Sequence, residues 1–357
     1  MQTEQRGARP RVTLGDVAKE SGVSMTTASL VISNGPAASR FPLPTRDRIW
    51  KVATRLGYRP NFFARSLRQR RSQTLGILLF DITDPYCTQI LRGIESRIRS
   101  SGYFPVITDL QNNGTQFHPS IEMLMDRQVE GIIAVANPAY LAPDFFAEFV
   151  YRQIPALVIG RDLHGDPVSS IAVDNESGAR QALQHIYQLG HTRIAFIKGP
   201  KALSDSERRW RGIRTFAHEV GLKLEPNLIG NLKGSNSTYS EAYRVAEELI
   251  KRDSRFTALV AFDDLTACAA IRALTKSGRE VPEDCSVIGF DDIPSGAFYN
   301  PPLTTVQQQL EVQGFLGAEV IEELIQAKLE SRIVQPRHHT LEPRLIVRDS
   351  TCPPPRS

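Results

Sequence analysis

The chain has 357 residues, 41% of them hydrophobic and 23% charged, enough for two or three domains and for a core that needs no staples. Its four cysteines, Cys87, Cys268, Cys285 and Cys352, lie too far apart for a CxxC or zinc-ligand spacing, which argues against a disulfide framework and fits a reducing cytoplasm. No apolar run reaches the ~18 residues of a membrane span, and the start MQTEQRGARPRVTL has no apolar signal stretch, so secreted and membrane classes are excluded. Charge is unevenly placed: residues 1–74 hold 14 Lys/Arg against 4 Asp/Glu, a net of +10, whereas the remainder nets −6. A basic head on a mildly acidic body suits a polyanionic partner, although a solvated basic tail would have the same composition.

The first ten residues are expected to be a disordered basic arm. Thr13 is a good N-cap, answered by Asp16 three residues on, and Leu14, Val17 and Ala18 make one apolar helical face. Ser21-Gly22-Val23 then breaks the helix, with Gly22 where a left-handed residue is needed. Ser24 caps a second short helix that turns Ala28, Val31 and Ile32 inward. Two short helices on a tight glycine turn describe a helix-turn-helix. A third helix, predicted from Thr45 as N-cap through Ile49, Val52, Ala53 and Leu56, stops at Gly57. So small a unit is marginal by itself.

VTLGDVAKESGVSMTTASLVISNG and LPTRDRIWKVATRLGYRPNFFARSLR resemble the DNA-binding head of the LacI/GalR family of transcription regulators. The similarity continues in VDNESGARQALQHIYQLGHTRIAFIKGP, ERRWRGIRTF and VIGFDD…PPLTTV, and it covers nearly the whole chain after about residue 11. The resemblance implies that the second helix enters the major groove, presenting Ser24, Met25, Thr26 and Thr27, with Ser29 and Leu30 one turn on. Family members often carry a large polar pair at the Met25-Thr26 positions and an arginine at the Leu30 position; here Met25 and Leu30 can offer only apolar contact. Met25 either faces the groove or packs between helices. Thr13 joins the DNA-facing set, while Ser29, Thr45 and Arg46 fit phosphate contacts that position the head without reading sequence. PAASRFPLPT is longer than the usual family loop, and Arg40 in it either reaches a phosphate or has no role.

Residues 60–72 match the family's hinge helix and linker. Asn61 would cap a helix of about eight residues, too short to be stable alone in water. The resemblance implies that it forms on operator DNA beside its dimer mate, with Ala64 in the minor groove and Leu67 wedged into the central base step; the plainer alternative is a linker packed on the core.

Beyond Gln73, TLGILLF, FPVITDL, GIIAVA, PALVIG, SSIAVD, RIAFIKG, TALVAFDD and CSVIGFDD read as strands, each followed by a helical stretch, the pattern of parallel α/β sheets. The expected architecture is an all-α helix-turn-helix head (11–59) on an α/β periplasmic-binding-protein-like core (73–349) of two doubly wound parallel-sheet subdomains. By resemblance, the N-subdomain spans about 73–161 and 293–322, the C-subdomain about 162–292 and 323–349, and 350–357 is a tail. Ligands in such sheets sit beyond the carboxyl ends of strands. Tyr86 after the first strand could stack on a ligand. By resemblance Arg209, Asp263, Asp291 and Gln308 match effector-contacting positions, with Asp205 also facing the cleft. Carboxylates, a guanidinium and an aromatic wall suit a polyhydroxylated ligand. Asp264 and Asp292 are expected to be helix N-caps and Arg208 to face solvent. Asp263 stands where relatives often have asparagine, and either meets a different hydroxyl pattern or makes a local salt bridge.

The 7 histidines show no HxxxH or HExxH spacing, and His185 and His191 are expected to be structural. No metal, cofactor or catalytic residue is expected, since no GxGxxG, GxxxxGK[ST] or GxSxG appears. The function expected is that of a cytoplasmic, dimeric regulator, most often a repressor in this family, that binds a pseudo-palindromic operator under control of a small molecule, a sugar or sugar derivative before a nucleoside. A solute-binding protein of the same core is the alternative; it would carry a signal peptide and no basic head. The closing LEPRLIVRDSTCPPPRS carries no heptads, so a dimer is expected over any higher oligomer.

Overall fold

The computed structural model describes residues 12–33, 36–59, 71–135, 149–234 and 237–355, and the chain divides into two compact units, Met1–Ser72 and Gln73–Ser357. The expected basic arm, and the hinge positions Asn61, Ala64 and Leu67, lie outside the described residues.

In the first unit α1 (Leu14–Glu20), α2 (Met25–Ile32) and α3 (Leu43–Leu56) pack around Val17, Ala18, Ala28, Val31, Ile32, Ile49, Val52 and Ala53. Thr13 and Asp16 form the full capping box, each side chain bonded to the other's backbone N–H at 3.3 and 2.8 Å. Gly22 stands at φ +63° in the turn, and Gly57 at φ +69° ends α3. One cap is displaced. Helix α3 begins at Leu43 with Pro42 at the cap, not at Thr45, because Pro44 sits in the first turn, where a missing N–H costs nothing. The long loop is anchored: Pro36–Arg40 forms a 3-10 turn, Ala38 is buried, and Phe41 packs on the head core. Arg40 remains exposed.

The second unit contains two parallel sheets. The first runs β11-β5-β4-β3-β1-β2, from β1 (Thr74–Leu79), β2 (Phe104–Asp109), β3 (Gly131–Val135), β4 (Ala156–Ile159), β5 (Ser169–Val173) and β11 (His338–Leu341). The second runs β7-β6-β8-β9, from β6 (Ile194–Lys198), β7 (Ile229–Asn231), β8 (Ala258–Val260) and β9 (Ser286–Ile288). All eight strands read from the sequence form. Alternate residues feed opposite layers: Leu75, Ile77 and Leu79 pack with α4 (Pro85–Ser101) and α10 (Leu310–Leu329), and Leu78 with α5 (Phe117–Asp126). The second sheet is likewise covered by α6 (Asn175–Gln188) and α7 (Ser204–Glu219) on one face, and by α8 (Tyr239–Arg252) and α9 (Asp264–Lys276) on the other.

The subdomain borders differ from those expected. The strand after residue 161 is β5, which pairs with β4 in the first sheet, and β11 returns to that sheet's edge. The chain therefore crosses after Val173 rather than at 161, again between β10 (Thr305–Gln307) and α10 rather than near 292, and finally between Leu341 and β12 (Arg344–Ile346) rather than near 322. The crossovers touch: Asp174 N–H donates to the Leu341 carbonyl at 3.0 Å, and Gln309 Nε2 to that of Glu342 at 2.8 Å. Nor does a helix follow every strand, since β4 leads straight to β5. The start of the supposed tail, residues 350–352, is bonded into the core. Ser350 is fully buried and donates to the Val287 carbonyl at 2.6 Å, and the Cys352 carbonyl accepts from His191. His191 and His185 are structural, bonded to Thr257 and Thr351 at 2.8 and 3.0 Å.

Helices α4 and α10 meet without side chains at their crossing. A Cβ on Gly93 would lie 2.0 Å from the Glu311 carbonyl oxygen, and one on Gly314 2.0 Å from that of Ile90. Backbone cannot yield there as a side-chain tip could. Gly93→Ala is expected to destabilise the core by about 1–3 kcal/mol, read as a lowered urea midpoint with unchanged slope.

Candidate functional site

In the head, α2 presents its N-terminal end. The Ser24 hydroxyl caps it, accepting from the Thr27 N–H at 3.1 Å, and pairs with the Thr27 hydroxyl at 2.9 Å. Met25 is 62% exposed, so it does not pack between helices. Thr26 is exposed beside it, while Ser29 and Leu30 are half-buried one turn on. Thr13 is exposed at the cap of α1, and Thr45 and Arg46 lie half-buried in the first turn of α3. These seven residues, with Ser24 and Thr27, occupy outward or helix-end positions.

The second site is built at strand ends. Arg209, one turn into α7, is only 7% exposed. Its guanidinium lies over the Phe290 and Phe262 rings, 3.6 and 4.6 Å from their centroids. Nε donates to Asn175 Oδ1 at 2.8 Å, Nη1 to the Phe262 carbonyl at 2.5 Å, and Nη2 stands 3.6 Å from Asp291. Asp291 follows β9 at φ +124°, a backbone region that only surrounding structure can hold. Its N–H donates to the Val306 carbonyl at 2.8 Å, and its carboxylate accepts from Gln308 Nε2 at 2.5 Å. Gln308 is buried. Asp205 opens α7, while Asp263 caps α9, accepting from the Thr266 N–H at 2.7 Å and from the Ser237 hydroxyl.

From the first sheet, Asp84 and Tyr86 begin α4, Asp84 accepting from the Tyr86 N–H at 2.9 Å. Burial, with the Asp263 and Asp81 charges adding and the Tyr86 N–H opposing, pushes Asp84 up to about 7. Burial also raises Asp291 well above the usual carboxylate range against the opposing Arg209 charge, with Asp263, Asp264 and Asp84 pushing the same way. Asp205 is raised by burial too, against Arg209, Arg208 and Arg161. Burial and the Asp205 and Asp291 charges lift the Tyr86 phenol. The six predicted effector residues therefore share one electrostatic neighbourhood.

Several expectations change. Asp263, not Asp264, is the cap; Asp264 is wholly buried and accepts from the Ile293 N–H at 2.9 Å and the Thr305 hydroxyl at 2.5 Å. Asp292 caps no helix but pairs with Arg348 at 2.6 Å. Arg208 turns to Asp162, after β4, at 3.0 Å instead of to solvent. Sequence reasoning missed Asp84, Asn175 and the two ring partners of Arg209. The signal for the rings was present: both strands end in Phe-Asp-Asp, at 262–264 and 290–292.

A helix-turn-helix head with a two-sheet core that gathers buried polar groups at its strand ends defines a DNA-binding transcription regulator with a ligand-binding domain. Residues 13–61 match the model of the bacterial regulatory proteins of the lacI family, and residues 183–351 match a periplasmic binding protein-like domain. The chain is 31% identical over 344 residues to the HTH-type transcriptional regulator DegA of Bacillus subtilis (strain 168), covering 96% of this chain and 99% of that protein. It is 30% identical over 343 residues to the regulator GalR of Escherichia coli (strain K12), covering 96% of each. Among solved structures, the lac repressor dimer bound to operator and the anti-inducer ONPF matches with a TM-score of 0.82 at 26% identity, over 96% of this chain and all of that one. A CelR–cellobiose complex matches with a TM-score of 0.69 at 28% identity, over 95% and 100%. The chain belongs to the lacI family of bacterial regulatory proteins, and it is a regulator, not an enzyme.

The raised acids give a signed pH dependence. Between pH 4 and about 7 the folded protein keeps the Asp84 proton that the unfolded chain releases, so stability falls as pH rises through that window. Asp84→Asn is expected to flatten the fall, measured as Tm against pH for both proteins without ligand.

Proposed function

We propose that the protein binds a pseudo-palindromic operator as a homodimer in the cytoplasm and acts as a repressor under control of a small polyhydroxylated ligand, a sugar or sugar derivative. In the head, Ser24, Met25, Thr26, Thr27 and Leu30 face the major groove. Thr13, Ser29, Thr45 and Arg46 hold phosphates, and Asn61, Ala64 and Leu67 serve the hinge. Tyr86, Asp205, Arg209, Asp263, Asp291 and Gln308 contact the ligand. The observation that carries the ligand class is the setting of Arg209. Its guanidinium lies over two aromatic rings with the Asp291 carboxylate 3.6 Å away, and the buried Asp205 carboxyl feels the same charge. Such a set accepts from hydroxyl donors and opposes an added anion, which favours a free sugar over a phosphorylated one or a nucleotide. The solved relatives in complex with cellobiose and with operator DNA point the same way. The lacI head argues against the solute-binding alternative.

The ligand acts by differential affinity: whichever subdomain arrangement it binds better, it populates, and DNA affinity changes by the same coupling factor. A thermal-shift screen of sugars, sugar phosphates and nucleosides tests the class, since a ligand specific for the folded state raises Tm with concentration. A free sugar is expected to shift Tm and a phosphate to fail; the reverse outcome would reject this class. Arg209→Lys keeps the charge but loses the flat stacked fork, and is expected to weaken that ligand about tenfold or more while DNA binding without ligand persists.

A further inference from the structure

Helix α2 reads MTTASLVI. Ala28, Val31 and Ile32 are buried in the head, and the hydroxyls of Ser24 and Thr27 are engaged with each other at 2.9 Å. Met25 and Thr26 on the first turn, with Ser29 and Leu30 four residues on, form the outward face. None of the eight residues is an arginine, lysine, asparagine or glutamine, the side chains that grip guanine or adenine with paired hydrogen bonds. What the face does offer is a thioether 62% exposed at the helix tip, a half-buried leucine behind it, and threonine methyl and hydroxyl groups. In the major groove one base feature answers an apolar side chain: the C5-methyl of thymine.

We propose that α2 selects its base pairs through thymine methyl groups, with Met25 as the principal contact and Leu30 behind it, so that each half-site carries thymine where Met25 lands. The proposal deepens the DNA-binding reading of the head and rests on it. Affinity comes from the strongly basic head and its phosphate contacts; discrimination comes from covering the Met25 side chain with methyl surface that no guanine or cytosine provides. Such discrimination is modest per base. One buried methyl is worth about 0.8 kcal/mol, a factor of about four.

The test begins with selection from random duplexes by the full-length protein, and then replaces the selected thymines one at a time with deoxyuridine, which lacks only that methyl. Binding is measured at fixed salt for the protein, for Met25→Ala and for Met25→Gln. One deoxyuridine is expected to weaken the protein about fourfold and to leave Met25→Ala unaffected, while Met25→Gln moves the preference toward adenine. Because Met25 is exposed, these variants fold, which circular dichroism checks. A selected site with invariant G·C pairs throughout the half-site, no deoxyuridine effect, or equal losses in the protein and in Met25→Ala would overturn the thymine reading and leave DNA binding standing. Failure to select any sequence would instead overturn the operator-binding reading beneath it.

Discussion

The second unit is organised around one constraint: a guanidinium buried at the end of a parallel sheet must be neutralised and its donors satisfied, or the site is lost. Leaving a buried charge without its partner typically costs about 3–5 kcal/mol. Arg209 meets the requirement with groups from three segments: Asn175 opening α6, the Phe262 carbonyl after β8, and Phe290 and Asp291 after β9. Each is placed by a strand end or a helix start, so the sheet and the site are specified together. The strained backbone of Asp291 is tolerable in that setting because Val306 and Gln308 hold it from the neighbouring crossover.

The same crowding sets the chemistry. Asp84, Asp205, Asp263 and Asp291 share a region with few cations, and burial raises three of them. Without ligand these acids oppose their own ionisation. Hydrogen-bond donors brought to these carboxyl groups would favour their ionised forms and lower the raised values. Burial is the first cause for each of the three, and proton uptake relieves it.

Most of the architecture was legible in the sequence, and the reasons are local. The eight strands read from the sequence announce themselves as apolar runs between turn residues, and the Thr13 box, Gly22 and Gly57 are signals carried within four residues. What escaped depends on contacts far along the chain. Nothing in SSIAVD states that it pairs with PALVIG rather than opening the second sheet, and β7, β10 and β12 lie in stretches broken by polar residues, without the apolar runs that mark β8 and β9. RDSTC reads as a polar tail, yet Ser350 and Cys352 close the layer over β9. The site was partly legible because strand ends mark it. Asp84 escaped because it resembles an ordinary cap, and the choice between Asp263 and Asp264 turns on one residue of helix phase.

The three crossovers bear on how the two sheets can move. Strands that pass side by side and are hydrogen-bonded to one another, Asp174 to Leu341 and Gln309 to Glu342, behave as a short flexible strap: they resist sliding and permit bending about a line through them. Asn175 and Gln308 each stand one residue from a bonded crossover residue, Asp174 and Gln309. Two members of the buried polar set, Asn175 on Arg209 and Gln308 on Asp291, are thereby fixed directly to the connection between the sheets.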